Sequence, residues 1–371
     1  MILKEIKISE LNAFIQSVEY SSWKHVPISP ARAYSQSLNP NALPDDIVLI
    51  IALDDETAGL LAYAGALPSK TEKNETIRFA WNSCWWVAEG VGGEVAMNVF
   101  IRFLQAWGKK VAFSDMTEKT FKIIRSLGFC HTMQRDGVVI NIRPGIASRL
   151  KALCISNRKF HFLAKPALFS GLPWIADQLY ESIWFIFRKT GFIGKICMQP
   201  VKLEFPEEKD FEFMRIQGKE DFHIPQTDEL KMPCWLVKPK PENIFLKEKY
   251  YFNSFADRFS TFWLRWENDG KIFALIMVSL KDGVLKTLYL YCEDDFRNTF
   301  PREFMAYCFA TQQIRTLITA QPIIVSYLSQ KKSAVLPRRY FTRYSAVSKD
   351  LMQYSGNEPV LQDGDGDYRF T

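Results

Sequence analysis

The chain has 371 residues, 47% of them hydrophobic, which is ample for two cores at about 150 residues per domain. Its net charge of +6 comes from 47 Lys and Arg scattered among 41 Asp and Glu, with no basic block. That argues against a nucleic-acid partner and suits a small anionic ligand. Cys84, Cys130, Cys154, Cys197, Cys234, Cys292 and Cys308 form no CxxC pair and show no ligand-like spacing to the four histidines, so no metal site is expected and a reduced, cytoplasmic setting is the simplest reading.

Taken in chain order, charges interrupt every apolar run of the N-terminus, which excludes the core of a secretory signal. Ser9 to Tyr20 predicts an opening helix with Ser9 as N-cap, and Ser29 to Asp46 a polar helix and loop. Ile47 to Leu53 and Gly59 to Leu67 are apolar runs joined by Asp-Asp-Glu-Thr, which predicts an antiparallel hairpin. After a charged loop, Ile77 to Trp86 forms a third strand that runs toward Gly90, Gly92 and Gly93. Glu94 to Trp107 carries an apolar stripe at helical spacing, Val111 to Phe113 is a short buried strand, and a helix follows from Thr117 to Gly128. A closing hairpin is expected from Cys130 to Pro144.

Residues 145–199 predict an amphipathic helical connector punctuated by Pro166 and Pro173. Its aromatic patch, Ser182 to Phe187, is far shorter than the ~20 apolar residues a bilayer requires, so no membrane partner is expected. Residues 200–371 then repeat the order of residues 1–144 in outline. A helix at Lys209 to Ile216 leads to a hairpin turning at Asn268, Asp269 and Gly270, a strand from Val284, a helix from Pro301 and a strand at Pro322 to Leu328. A structural duplication explains this order; so does any α+β domain in which hairpins precede a helix.

The stretch Trp81 to Phe129 reads strand, glycine turn, helix, strand, helix. Glycines there free the main chain to turn and to present amide hydrogens at a helix start, where the dipole favours an anion. A dinucleotide fold would place such glycines after a first parallel strand, whereas antiparallel strands precede them here. Glycines serving packing alone are the remaining reading.

Val87, Ala88, Glu89, Gly90, Val91 and Gly92 fill the places of R/Q-x-x-G-x-G/A, and on these residues the chain resembles the GNAT N-acetyltransferase superfamily. Both glycine places match, and Val87 stands where the family has Arg or Gln. Thr117 falls where the family often has Asn, and Leu127, Gly128 and Phe129 match its Leu-Gly-Phe. Ile124 stands where the family often has the tyrosine that protonates the leaving thiolate. The resemblance implies an α+β fold, a mixed and mostly antiparallel sheet flanked by helices. It also implies a tandem arrangement in which residues 200–371 are a degenerate copy, since Glu293 to Arg297 contain no glycine. It further implies acetyl-CoA or another acyl-CoA as co-substrate, bound by Ser83, Trp85, Val87, Gly90, Val91, Gly92, Gly93 and Thr117. The acceptor would be a small-molecule amine or aminosugar, acylated by direct transfer. A non-catalytic GNAT-like binding module and a Fem-type aminoacyl transferase are the alternatives.

Direct transfer requires alignment of donor and acceptor, removal of a proton and stabilisation of an oxyanion, with no covalent residue. His25, Asp45, Asp46, Glu75 and Asp115 are the candidate bases, and the sequence does not rank them. Cys84 reads as a buried structural thiol. Trp81, Trp85 and Trp86 read as core or as a stacking surface. Arg32, Tyr34, Ser35 and Gln36 lie where acceptor sites form in such folds. Gly364 to Tyr368 lacks the ligands of a calcium loop, so a flexible or sheet-edge terminus is expected.

Overall fold

A computed structural model describes residues 1–71, 76–143, 198–236, 255–330, 338–354, 360–367 and 370. The expected connector lies almost wholly outside these residues, as do Glu75 and the end of the tail.

The strands are β1 (Ile2–Lys7), β2 (Ile47–Leu53), β3 (Leu60–Thr71), β4 (Ile77–Val87), β5 (Val111–Met116), β6 (Cys130–Asn141), β7 (Val201–Leu203), β8 (Phe259–Asn268), β9 (Lys271–Lys281), β10 (Val284–Cys292), β11 (Thr316–Thr319) and β12 (Arg338–Ser348). Together they form one sheet in the order β1-β2-β3-β4-β5-β12-β6-β11-β10-β9-β8-β7. Pairing is antiparallel except for β4 with β5 and β10 with β11. The expected class, an α+β fold with a mixed, mostly antiparallel sheet and flanking helices, is the one observed. The order also reads alike outward from the central β12–β6 pair: an antiparallel neighbour (β5 or β11), a parallel step (to β4 or β10), then antiparallel strands. Each half borrows a strand, since β12 lies beside β5 and β6 beside β11.

Helices cover both faces. On one face, α4 (Gly93–Ala106) and α5 (Glu118–Leu127) bury Val99, Phe100, Phe103 and Ile124 against Ala64, Ala80 and Phe113. On the other, α1 (Leu11–Ile15), α2 (Val18–Ser22) and α3 (Pro30–Ser37) pack Leu11, Tyr20 and Ala33 onto Leu49, Ile51 and Tyr63. In the second half, α6 (Glu208–Gln217) covers one face, while α8 (Phe300–Ala310) and α9 (Pro322–Gln330) cover the other; α7 (Thr227–Leu230) and α10 (Lys349–Met352) are single turns.

Three expectations are corrected. The single helix over Ser9 to Tyr20 is instead α1 and α2, because Ser17 caps a new helix by accepting from Tyr20 N at 3.1 Å, while the Ser9 hydroxyl donates to Pro44 O. The hairpin over Cys130 to Pro144 is one continuous strand, β6. Asp136-Gly137 does not turn because β12 pairs along β6 from Arg338 to Ser348, and the Phe341 ring fills the space of a Gly137 side chain: a Cβ there would lie 2.2 Å from it. Pro322 to Leu328 is helix α9, with proline in its first turn and Ile324 and Leu328 buried four apart; the strand is Thr316–Thr319.

Candidate functional site

Ser83 is the extra residue of a bulge, since Gly65 pairs with Cys84 and Ala66 with Asn82. A bulge bends its strand and increases the local twist. On the opposite edge, pairing of β4 with β5 ends at Asn82 and Phe113, so the two parallel strands diverge as a V. Ala88 N donates to Leu61 O at 2.8 Å, which makes Val87/Ala62 and, two residues back, Trp85/Ala64 the pairs without ladder bonds to β3. By the alternation of antiparallel pairing, the N–H and C=O of Trp85 and Val87 point into the V.

The chain leaves the V through a turn. Gly90 has φ 82° and Val91 N donates to Ala88 O; Gly92 is then the N-cap of α4, with no side chain to satisfy the helix's first amides. A Cβ at Gly90, Gly92 or Gly93 would meet nothing within 4 Å, so this helix start is open. The acidic residue of its first turn is Glu94, so the attraction for an anion there comes from the main chain. Ser83, Trp85, Val87, Gly90, Val91, Gly92 and Gly93 thus lie along one strand end and its turn. Thr117, at the end of β5, caps α5 by accepting from Thr120 N at 3.2 Å. Ile124 is wholly buried and offers no phenol.

The three tryptophans separate. Trp85 stacks on Phe100 at 4.7 Å, Trp86 on Tyr63 at 5.2 Å beside His25, and Trp81 is core. Cys84 faces Arg32 and is buried, and burial raises its thiol pKa above the usual value, which suits a structural thiol. Arg32 sits on α3 with its guanidinium 4.3 Å over Trp235; among the described residues its Nε has no partner, and the buried Gln36 Oε1 has none either. Ser35 donates to Pro233 O and Tyr34 is exposed, so only Arg32 and Gln36 of that segment offer unused polar atoms inside.

The C-terminal tail is the element beside this site that sequence reasoning missed. Far from lying at an edge, Leu361 to Gly366 are buried across the middle of the sheet. Asp363 bonds Arg135 at 2.6 Å, Ala320 N at 2.9 Å and Thr287 at 3.1 Å, and pairs with Arg343 at 3.4 Å. Gly364 passes Tyr289 and Gly366 passes Ser114 so closely that a Cβ would lie 2.3 and 2.2 Å from them. Gly366 brings Asp367 to the V, within electrostatic reach of Arg32, Asp115 and Cys84. Burial pushes the Asp367 carboxyl up to about 6, against the opposing pull of Arg32 and with the help of Asp115. The glycine alternation in Gly364-Asp365-Gly366-Asp367 is the signal that could have marked close threading.

Of the candidate bases, Asp45 pairs with Lys7 at the surface and Asp46 with Arg78. His25 lies beside Trp86, and Asp115, at φ 50°, pairs with Arg343 at 3.6 Å beside the V. The second half repeats the bulge at Leu288 and the divergence of β10 from β11, but fills the gap. The Gln362 side chain accepts from Leu290 N at 3.3 Å and donates to Leu290 O at 3.1 Å.

No family model matches the chain, and no curated protein matches it. Solved structures are similar to it. A probable N-acyltransferase from Enterococcus faecalis is 9% identical, with 95% of this chain and 74% of that one covered and a TM-score of 0.49. The N-myristoyltransferase of Saccharomyces cerevisiae with bound myristoyl-CoA is 10% identical, at 99% and 83% coverage and a TM-score of 0.45. A GCN5-related N-acetyltransferase from Kribbella flavida is 12% identical, at 93% and 71% coverage and a TM-score of 0.44. Among the described residues no helix is long and apolar enough to cross a membrane.

Proposed function

We propose that the chain is an acyl-CoA-dependent N-acyltransferase whose donor site is the V between β4 and β5. The observation that carries this reading is the continuity of the V with an open helix start. An amide-bearing arm pairs with Trp85 and Val87 as a missing strand would, and a diphosphate at its far end meets the first amides of α4. The tandem reading, with residues 200–371 as a copy without a donor loop, is proposed on the repeated strand order and on Gln362 filling the second gap.

The acceptor, a small amine or aminosugar, enters from the α3 face, where Arg32, Gln36 and Asp367 lie. Its nitrogen attacks the thioester carbonyl, the carbon–sulfur bond breaks, and the nitrogen's proton passes to a base while the thiolate leaves with the coenzyme. Asp367 fits the base, because a carboxyl with a pKa near 6 is largely ionised at neutral pH and still accepts a proton. With Ile124 in place of a phenol, the thiolate takes its proton from water.

Calorimetric titration with acetyl-CoA tests the donor site: the intact chain binds, and Gly92→Trp, whose side chain projects into open space, does not. Absence of binding to the intact chain refutes the reading. The buried Ile124 favours a second reading, a binding module without catalysis, for which acetyl-CoA binds and no amine is acylated.

A further inference from the structure

A cavity of about 410 Å³ opens in the second half, within the size range of small-molecule sites. It lies where β10 runs on beyond β11, walled by Leu290 to Cys292, by the start of α9 at Gln321 to Ile323, by Ser345 of β12 and by Val360 to Gln362 of the tail. It is far from a leftover of the filled gap. Gln362 occupies only the rung at Leu290, and one rung further along the same strand edge is free of it. Glu293 N donates to Phe273 O at 2.9 Å, so Cys292/Ala274 is a pair without ladder bonds, and the N–H and C=O of Cys292 point the same way as those of Leu290, toward the cavity. Ser345 adds a hydroxyl open to a ligand. It is 93% buried (7% exposed), lines the cavity and makes no side-chain hydrogen bond among the described residues.

Charge restricts what fits. The Arg135 guanidinium is held by Asp363 and Leu361 O, Asp221 accepts from Gln362 at 2.8 Å, and Arg297 at the mouth pairs with Asp294 at 3.0 Å. Both cations of the wall are already paired and the one carboxylate is engaged by a neutral amide, so an anion would enter with no counter-charge waiting, at the cost of its hydration. A neutral amide loses little, since the strand edge supplies one donor and one acceptor, as it already does for the carboxamide of Gln362.

We propose that this cavity is a second ligand site that takes a small neutral amide-bearing molecule, paired with the main chain of Cys292 and touching the Ser345 hydroxyl. It stands apart from the donor V and does not depend on the function proposed for it. The test is saturation-transfer NMR and calorimetry on the full chain with N-acetylglycine N-methylamide as the probe, beside zwitterionic glycylglycine and the polyol sorbitol. The neutral amide binds; the other two bind at least tenfold more weakly. Ser345→Val weakens the amide about tenfold, as loss of a hydrogen bond predicts. Ile323→Trp, at the half-exposed start of α9, fills the cavity and removes binding without touching the buried strand. Gly92→Trp leaves binding unchanged. No binding of the amide by the intact chain, equal binding of glycylglycine or sorbitol, or full binding by Ile323→Trp overturns the proposal.

Discussion

At the scale of single residues, Asp367 and Asp365 show how burial sets chemistry. Both carboxyls are pushed up to about 6, chiefly by burial, and each shift is opposed, by Arg32 for Asp367 and by the protonated form of His223 for Asp365. Asp367→Asn keeps the shape and removes the proton acceptor. Acetyl transfer should fall ~10²–10⁴-fold with acetyl-CoA affinity unchanged, and the acid limb of kcat/KM near pH 6 should vanish; a variant as active as the parent assigns the base elsewhere. Asp365 has a consequence for stability. Its folded pKa lies above the ordinary 3.8, so between about pH 4 and 6 the folded chain holds a proton that the unfolded chain has released. Its contribution therefore falls as pH rises through that window, by about 3 kcal/mol, and is flat above it. Asp367, pushed up alike, adds a like slope, so Asp365→Asn should reduce the slope by about half in urea unfolding followed from pH 4 to 7. Glu94 gives an opposite kind of test. An acidic side chain on the first turn of α4 disfavours a diphosphate, so Glu94→Gln should tighten acetyl-CoA severalfold in low-salt calorimetry.

At the scale of elements, local chemistry was legible where it was self-sufficient. β2, the start of β4, α4 and α5 follow from a continuous apolar run, alternation, an apolar stripe, a Thr117 cap and a Gly128 in the left-handed region at φ 69°. The turn at Asp269-Gly270, both with positive φ, is likewise written in the residues. Legibility failed where a distant element decides. Asp-Gly at 136–137 has the composition of a turn, yet a full-length partner strand and the Phe341 ring hold it straight. The tail looks like a polar terminus, but Asp363 joins Arg135, Arg343, Thr287 and Ala320, four points remote in sequence. Removing that carboxylate breaks the ion pairs of Arg135 and of the buried Arg343, so Asp363→Ala should cost about 3–5 kcal/mol in chemical denaturation. Gly364→Val should be at least as damaging, because Tyr289 occupies its place.

At the scale of the whole molecule, β6 and β12 change the meaning of the two halves. β12 comes from the end of the chain and pairs with β5, while β6 pairs with β11, so neither run of sequence closes its own sheet. The halves should therefore unfold in one transition, and residues 1–144 expressed alone should expose the edge of β5 and aggregate; a stable, monomeric fragment would show that β5 needs no partner. The sequence by itself determined the elements from β2 to α5, the glycine turn at Gly90 to Gly93 and the absence of a glycine turn after β10, because these depend on neighbours within a few residues. The tertiary structure alone decided that the V opens at Ser83, that Asp367 reaches it, that Gln362 fills its counterpart and that a cavity remains beside Cys292. Those facts depend on a tail threaded between strands hundreds of residues earlier, and no local pattern encodes which distant edge a strand or a buried carboxylate will meet.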